Sequence, residues 1–161
     1  MKKLNALLTK IGTCLQCLVL LFIRLVCGFD LFITGRNHLK NAEGVIKNFQ
    51  GWHVPFPTAS VYISGTTELV GGILLTAGLF SRFISIPVFF NFCVAYLVAS
   101  PGALKELLHF SPDDFVSDAA FPFLITSLII LAFGPGKISL DYLFEKTCCK
   151  KSAASGSNSG A

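Results

Sequence analysis

Two opposite charges, Arg24 and Glu68, each lie near the middle of a long and otherwise mainly apolar run of this chain. Placing a charged side chain at the centre of a bilayer costs about 2.5 to 3.5 kcal/mol on insertion scales, so such a residue needs a partner or a function. Four apolar runs approach the roughly 20 residues needed to cross a membrane: 14–34, 60–79, 83–99 and 116–133. Hydrophobic residues make up 53% of the sequence and charged residues only 14%, which excludes an ordinary soluble domain.

The four runs predict an all-α protein, an integral membrane four-helix bundle with short interfacial helices, because lipid offers backbone groups no hydrogen-bond partners. We expect one membrane domain over residues 1–151 and a flexible tail over residues 152–161. Placing both termini in the cytoplasm puts most Lys and Arg residues inside, in accordance with the positive-inside rule. The inner set is then Lys2, Lys3, Lys10, Arg82, Lys137, Lys146, Lys150 and Lys151, against Arg36, Lys40, Lys47 and Lys105 outside.

Amphipathic segments are expected beside the spanning helices. Residues 38–49 carry apolar side chains at helical spacing, and three leucines indicate a surface-lying turn at 104–108. A cytoplasmic amphipathic segment is predicted at 138–146, after a Gly-Pro-Gly helix breaker. Basic residues flanking membrane helices account for the net charge of +4, so the expected partners are the lipid bilayer and membrane or peripheral proteins, with no nucleic acid.

A polar site is predicted at the membrane midplane. We number the predicted spanning helices 1 to 4 after the four apolar runs in chain order. Because helix 1 (14–34) runs outward and helix 2 (60–79) runs inward, we expect Arg24 and Glu68 to lie at similar depth, close enough to form an ion pair. Asn91 and Ser127, at the centres of helices 3 and 4, complete the predicted site. Small residues let membrane helices approach closely and shield a charged pair from lipid. The predicted packing residues of this kind are Gly28, Gly35, Gly65 and Gly72.

Two interpretations of the midplane groups stay open. They could fix the pairing of the helices, as polar membrane residues commonly do. They could instead form a site for an anionic or quinone-like ligand, or a proton path. No catalytic residue is assigned, because the sequence has no nucleophile elbow, phosphate loop, metalloprotease helix or dinucleotide fingerprint.

Cysteines and histidines give weaker signals. Cys14 and Cys17 have the spacing of a dithiol redox motif, although free cysteine is also an ordinary small apolar residue. The histidines His38, His53 and His109 are expected in outer loops and are not at ligand spacing. We therefore expect no metal site, and only the cysteine pair is a redox candidate.

Three segments carry a family resemblance: Arg24-Leu-Val-Cys-Gly28 with Gly35, the run from Glu68-Leu-Val-Gly-Gly to Gly-Leu-Phe-Ser-Arg82, and Gly134-Pro-Gly-Lys-Ile-Ser-Leu-Asp141. The chain resembles the DoxX family of small bacterial membrane proteins over about residues 20–144. The resemblance implies a four-helix protein of the bacterial cytoplasmic (inner) membrane and an association with quinol oxidases and thiosulfate:quinone oxidoreductase. The last segment supplies the family-motif residues Gly134, Gly136, Ser139 and Asp141.

The sequence departs from the resemblance at one position and leaves two functions open. His38 stands where the family often has a lysine. Any role that the lysine's positive charge has in the family becomes pH-dependent here, because imidazole is charged only when protonated. The preferred function is a non-catalytic subunit or scaffold of a membrane complex, in which Arg24 and Glu68 hold two helices together. The alternative is a quinone- or small-anion-binding subunit of an oxidoreductase, with quinone as the one cofactor suggested.

Overall fold

The computed structural model describes residues 2–102, 113–136, 138–143 and 146, and every regular element within them is a helix. In chain order the helices are α1 (Lys2–Lys40), α2 (Ala42–Gly51), α3 (Pro57–Ala77), α4 (Ser81–Ala99), α5 (Asp113–Ser117) and α6 (Phe121–Phe133). A further helical turn follows at 140–143. The all-helical prediction is therefore confirmed for the part of the chain that the structure describes.

Two of these helices are long and apolar enough to cross a bilayer, α1 from Leu7 to Lys40 and α4. α1 exceeds the predicted run 14–34 because hydropathy marks only the apolar part of a helix. No proline interrupts α1, and its flanking lysines and leucines are good helix formers. α3 has sufficient length at 21 residues but carries the polar run 64–68, whereas the apolar α6 has only 13 residues.

Glycines bring the backbones of α1 and α3 into close contact. A Cβ atom at Gly28 would lie 2.6 Å from the Thr76 hydroxyl, and one at Gly72 would lie 2.7 Å from the Gly28 carbonyl oxygen. A Cβ atom at Gly35 would lie 2.8 Å from the Gly65 carbonyl oxygen. These separations leave no room for a side chain, and the paired positions show that the two helices run antiparallel.

The buried core lies where α1, α3, α4 and α6 meet. α4 packs against α3 and α6, and α6 also contacts α1. The Phe92 and Phe123 rings stack with their centroids 4.9 Å apart. By contrast, large apolar side chains on the outer face of α1 are exposed, Phe22 by 68%, as expected for a surface covered by lipid. The core cluster consists of Leu31, Leu75, Val88, Phe92, Phe123 and Ile130.

The fourth apolar run, 116–133, is interrupted in the structure, because α5 ends at Ser117 and α6 begins at Phe121. Asp118 lies in the break, where its carboxylate accepts hydrogen bonds from the Ala120 N–H at 2.8 Å and from the Ser100 hydroxyl. Such side-chain bonds to the backbone compete with continuation of a helix. Pro122 in the first turn of α6 is typical of a helix start.

The amphipathic segments are only partly described. The expected interfacial helix at 38–49 is displaced, since α1 continues to Lys40 and α2 begins at Ala42. The surface turn expected at 104–108 and the tail 152–161 lie outside the described residues, as do residues 144 and 145 of the predicted segment 138–146.

Candidate functional site

Arg24 is buried and ties α1 to the segment that follows α6. Arg24 is only 3% exposed. Its guanidinium donates hydrogen bonds to the carbonyl oxygens of Pro135, at 2.6 Å, and Ile138, at 2.8 Å. Its Nε atom has no hydrogen-bond partner among the described residues. A buried charge is tolerated when its hydrogen-bond donors have acceptors, and here two backbone carbonyl oxygens are the acceptors. Arg24 is therefore held by the chain's own backbone.

Asp141 joins the same segment to the turn between α3 and α4. Its two carboxylate oxygens accept hydrogen bonds from the backbone N–H groups of Phe80, at 2.7 Å, and Ser81, at 3.0 Å, at the start of α4. The Asp141 N–H in turn donates to the Gly78 carbonyl oxygen at 3.0 Å. Phe80 has a φ of 47°, a left-handed conformation that is unfavourable for a bulky residue, so the Asp141 contact stabilises a strained turn.

Glu68 lies in the middle of α3, well away from the end of α3 that Arg24 contacts, and is also 3% exposed. Its Oε2 atom is 2.7 Å from Nδ1 of His38, which forms an ion pair when the imidazole is protonated. Its Oε1 atom accepts hydrogen bonds from the Ser64 hydroxyl at 3.1 Å and from the Asn91 amide at 3.2 Å. Three elements, α1, α3 and α4, therefore converge on one buried carboxylate.

The Glu68 cluster, defined as His38, Ser64, Glu68 and Asn91, lines a cavity of about 640 Å³. The wall is built by α1, α2, α3, α4 and the start of α6, and most of it is apolar or aromatic. Pro87 lies in this wall and cannot donate a backbone hydrogen bond within α4. The aromatic lining residues are Phe49, Trp52, Phe90, Phe92 and Phe123, and Asp118 is the second carboxylate in the lining.

The structure does not bring Arg24 and Glu68 together, contrary to the expected ion pair. Arg24 packs beside Gly78, where a Cβ atom would lie 2.8 Å from its guanidinium carbon. Ten residues separate Gly78 from Glu68, which at about 1.5 Å per residue is about 15 Å along α3. Each side chain also tilts toward the N-terminus of its own helix, and in antiparallel helices these directions diverge. Equal depth within each apolar run therefore does not place the two charged groups side by side.

The other predicted midplane residues divide between the site and the helix interior. Asn91 contacts Glu68 directly, as described above. Ser127 is fully buried and donates to the Leu124 carbonyl oxygen of its own helix, at 2.8 Å. It is absent from the cavity lining. The predicted four-residue site is thus represented by Glu68 and Asn91 in the cavity, with Arg24 and Ser127 elsewhere.

His38 lines the cavity, and the expectation that it lies in an outer loop is wrong. It lies in the last turn of α1, because α1 is longer than its apolar run. The signal that identifies it is spacing: Gly28, Leu31, Gly35 and His38 recur at the interval that keeps one helix face toward α3. His53 lies after α2, and His109 is outside the described residues.

The remaining predicted residues lie at the Arg24 end of the molecule. Cys14 is exposed and Cys17 half-buried, and both are free thiols on α1. Gly134 and Gly136 adopt positive φ angles of 78° and 81°, which suit glycine. The Ser139 hydroxyl donates to the Gly136 carbonyl oxygen and accepts from the Tyr142 N–H. These motif residues shape the segment that Arg24 and Asp141 anchor.

The donors available in the cavity suit a mainly apolar organic ligand with a few polar atoms. Ligand sites are commonly apolar cavities of about 300 to 1,000 Å³ with a small number of placed polar groups. Among the described residues, no three His, Cys, Asp or Glu side chains cluster as metal ligands do. A flat ring with carbonyl oxygens is compatible with the aromatic walls and with the Glu68 cluster.

Long apolar helices, buried charges held between them and an apolar cavity define a helical membrane protein. The family model described as DoxX matches residues 19–101, and the chain belongs to the DoxX family. The chain is also 26% identical over 123 residues to a protein of Bacillus subtilis (strain 168) named "Putative oxidoreductase CatD", an overlap of 75% of this chain and 83% of that protein. No solved structure matches the chain.

Proposed function

We propose that this protein is a quinone-binding membrane subunit of an oxidoreductase and that the cavity beside Glu68 holds the quinone ring. The observation that carries the proposal is a buried carboxylate, paired with an imidazole at 2.7 Å, on the wall of a mainly apolar cavity of about 640 Å³. An ionisable residue inside a membrane helix is a functional-site hypothesis by default. The relative named an oxidoreductase supports the same direction.

His38 and Glu68 supply proton-handling groups for such a ligand. A quinone carbonyl oxygen accepts hydrogen bonds, and a quinone that is reduced also takes up protons at these oxygens. His38 is 33% exposed in its side chain, so it can exchange protons with solvent, whereas the Glu68 side chain is only 4% exposed. Imidazole changes its charge in the physiological pH range, which suits transfer between water and a buried site. Asn91 orients the carboxylate through its amide hydrogen bond.

The aromatic walls provide the complementary apolar contacts. Phe49 and Trp52 come from α2 and the segment after it, and their ring centroids are 5.7 Å apart. Phe92 of α4 and Phe123 of α6 also line the cavity, and their rings form a stacked pair. Aromatic side chains favour offset stacking against a flat ring, with typical gains of about 0.5 to 1.5 kcal/mol per pair. A quinone ring placed between these walls has both stacking partners and hydrogen-bond partners.

The proposed setting is the cytoplasmic membrane of a bacterium, with α1, α3, α4 and α6 as a four-helix membrane bundle. Both termini are assigned to the cytoplasm on the distribution of Lys and Arg. In this orientation the Glu68 cluster lies toward the outer side and the Arg24 end toward the cytoplasm. The membrane domain is assigned to residues 1–151, with residues 152–161 as a tail.

A non-catalytic scaffold is the second candidate, and the contacts of Arg24 favour it. Its two hydrogen bonds go to backbone carbonyls of the same chain, so this intramembrane charge has a structural explanation. In that case the protein holds partner proteins through its outer surface. The Glu68 cavity has no role in this alternative, so ligand binding distinguishes the two.

The proposal can be tested with the chain's single tryptophan, Trp52, which lines the cavity. A short-chain ubiquinone analogue is titrated into the purified protein in lipid nanodiscs while the Trp52 fluorescence is recorded. We expect saturable quenching in the wild type and at least about tenfold weaker affinity in Glu68→Gln, since losing a charge-assisted contact costs about 1.5 to 3 kcal/mol.

The matched control is Asp30→Asn, which changes an exposed carboxylate on α1 and leaves the cavity intact. This variant should retain the wild-type affinity. Quenching that rises linearly without saturation, or that is equal in the wild type and Glu68→Gln, would come from quinone dissolved in lipid and would refute the quinone site. The scaffold function would then be the one to pursue.

A further inference from the structure

A second cavity, of about 590 Å³, lies at the Arg24 end of the molecule and is independent of the Glu68 cavity. We call it the Arg82 cleft. It is lined by α1, the turn between α3 and α4, the first residues of α4, the end of α6 and the segment after α6. The lining includes Gln16, Phe80, Arg82, Phe83, Phe133 and Tyr142. Its lining contains the polar and charged side chains of Gln16, Arg82 and Asp141, whereas the Glu68 cavity is mainly apolar. The two cavities therefore suit different ligands.

Arg82 contributes an unpaired charge to this cleft. Its guanidinium lies against the Gly134 backbone, where a Cβ atom would be 3.1 Å from Nη2. Arg82 is exposed, and among the described residues it has no hydrogen-bond or ion-pair partner. A guanidinium has five N–H donors in a planar fork that matches carboxylate and phosphate oxygens. These donors are available to a ligand.

Asp141, the acidic residue of the cleft, does not accept hydrogen bonds from the Arg82 guanidinium. Both carboxylate oxygens of Asp141 accept backbone hydrogen bonds, from Phe80 and from Ser81. Arg24 lies at the same end of the molecule with its charge directed to backbone carbonyls. Two arginines and one aspartate leave this end with a net positive charge, which favours an anionic ligand.

The surroundings of Arg82 suit the binding of a lipid headgroup. The apolar span of α4 begins at Ser81, so Arg82 lies at the boundary between the apolar helix and water. Three exposed aromatic side chains lie around the cleft: Phe80 (66%), Phe83 (75%) and Phe133 (63%). A phospholipid combines an anionic headgroup with acyl chains, and this surface pairs a free guanidinium with apolar rings.

We propose that the Arg82 cleft binds the phosphate of an anionic phospholipid, with the acyl chains against Phe83 and Phe133. The ligand is chemically a phosphate diester, and the Arg82 fork provides the recognition. In the orientation assigned above, this site lies in the inner leaflet. It is separate from quinone binding and holds whether or not the quinone site exists.

The test counts the lipids that the whole protein retains. Wild-type protein and Arg82→Gln are released from nanodiscs containing phosphatidylcholine with a minor share of phosphatidylglycerol, and bound lipids are identified by native mass spectrometry. We expect one phosphatidylglycerol retained by the wild type and about tenfold less retention by Arg82→Gln, since bidentate contacts to a charged group carry that much affinity.

Three controls make the outcome decisive. Arg36→Gln removes an exposed arginine near the other end of α1 and should retain the lipid as the wild type does. Arg82→Lys keeps the charge but lacks the fork, so its retention should also fall. A thermal melt of each variant identifies unfolded protein. If Arg82→Gln loses its fold, the Arg82→Lys result decides.

Two results would overturn the proposal. The first is retention of phosphatidylglycerol that does not depend specifically on Arg82. In that case the wild type and Arg82→Gln retain it equally, or Arg82→Gln and Arg36→Gln lose it equally, which indicates only general attraction between charges. The second comes from adding inorganic phosphate. If free phosphate stabilises the lipid-free protein through Arg82 while no phosphatidylglycerol is retained, the site binds a soluble phosphate and the lipid assignment is wrong.

Discussion

Nδ1 of His38 lies 2.7 Å from Oε2 of Glu68 and joins the last turn of α1 to the middle of α3. The carboxylate is buried, and the imidazole is one-third exposed. A buried carboxylate and a partly exposed imidazole are thereby coupled at the wall of a ligand-sized cavity. This pair, and not the expected pair of Arg24 with Glu68, is the charged contact between the two helices.

Replacing His38 should remove a pH dependence from ligand binding. Across a pH series we expect the affinity for a quinone analogue to fall in the wild type as the pH rises, because only the protonated imidazole can donate from both ring nitrogens, one to Glu68 and one to a quinone carbonyl oxygen. The His38→Gln variant should show a flat profile over the same range. Trp52 quenching measured across this series checks the expectation, and His53→Gln, outside the cavity, serves as the control. An unchanged profile in His38→Gln would contradict it.

Double-mutant cycles should separate the two charged sites. Arg24→Met and Glu68→Gln are expected to be additive within about 0.5 kcal/mol, because the groups share no partner. His38→Gln and Glu68→Gln should instead show a coupling energy of about 0.5 to 3 kcal/mol. The measurement is the free energy of reversible unfolding in detergent. Coupling between Arg24 and Glu68 comparable to that of the His38 pair would mean that the two charges interact directly.

Introducing a methyl group between α1 and α3 should destabilise the protein. A Cβ atom at Gly72 would lie 2.7 Å from the Gly28 carbonyl oxygen, and backbone atoms cannot rotate away. We expect Gly72→Ala to cost at least about 1 to 3 kcal/mol, as overpacking typically does. Gly12→Ala is the matched control, because nothing lies within 4 Å of that position. Alanine there should be neutral or stabilise α1 by up to about 1 kcal/mol. Thermal unfolding of both variants gives the comparison.

Removing the Asp141 carboxylate should loosen the start of α4. Asp141→Ala leaves the N–H groups of Phe80 and Ser81 without their acceptor, and loss of a helix cap costs about 0.5 to 2 kcal/mol. The rate of hydrogen exchange at these two amides should rise by the factor that corresponds to this free energy, which is about tenfold for each 1.4 kcal/mol. Asp114→Ala removes an exposed carboxylate on α5, which does not contact this turn, and should leave the exchange rates of the two amides unchanged. Equal protection in wild type and Asp141→Ala would show that the carboxylate does not hold the turn.

Hydropathy and spacing predict helices well in this chain and predict long-range contacts poorly. The run 60–79 corresponds to α3 and the run 83–99 to α4 within a few residues, because each is bounded by proline, glycine or serine. The extension of α1 to Lys40 is invisible to hydropathy, since its polar ends are helical without being apolar. The glycine pattern does identify the face of α1 that meets α3.

The contacts of the two buried charges depend on helix register, which sequence spacing does not define. Arg24 reaches Pro135, 111 positions away, and no local pattern connects them. The motif residues Gly134 and Asp141 are recognisable by resemblance, yet their role in anchoring the α3–α4 turn depends on the folded chain. Hydropathy ends the first helix at the limit of its apolar run and so predicts a loop at His38, although the helix continues to Lys40. Extending the glycine stripe by one more turn would have placed His38 beside Glu68.

The backbone contact between α1 and α3 restricts how a ligand can enter the Glu68 cavity. Backbone atoms have no rotamers, so this helix pair cannot part or slide without losing its contacts, and it behaves as the fixed wall. α2 has no buried residue, and it supplies Phe49 to the cavity lining. A helix with few buried contacts opens at low energetic cost. For the quinone site proposed above, the entrance is therefore expected under α2, where a small outward swing would admit the ring from the membrane surface while His38 and Glu68 stay in place.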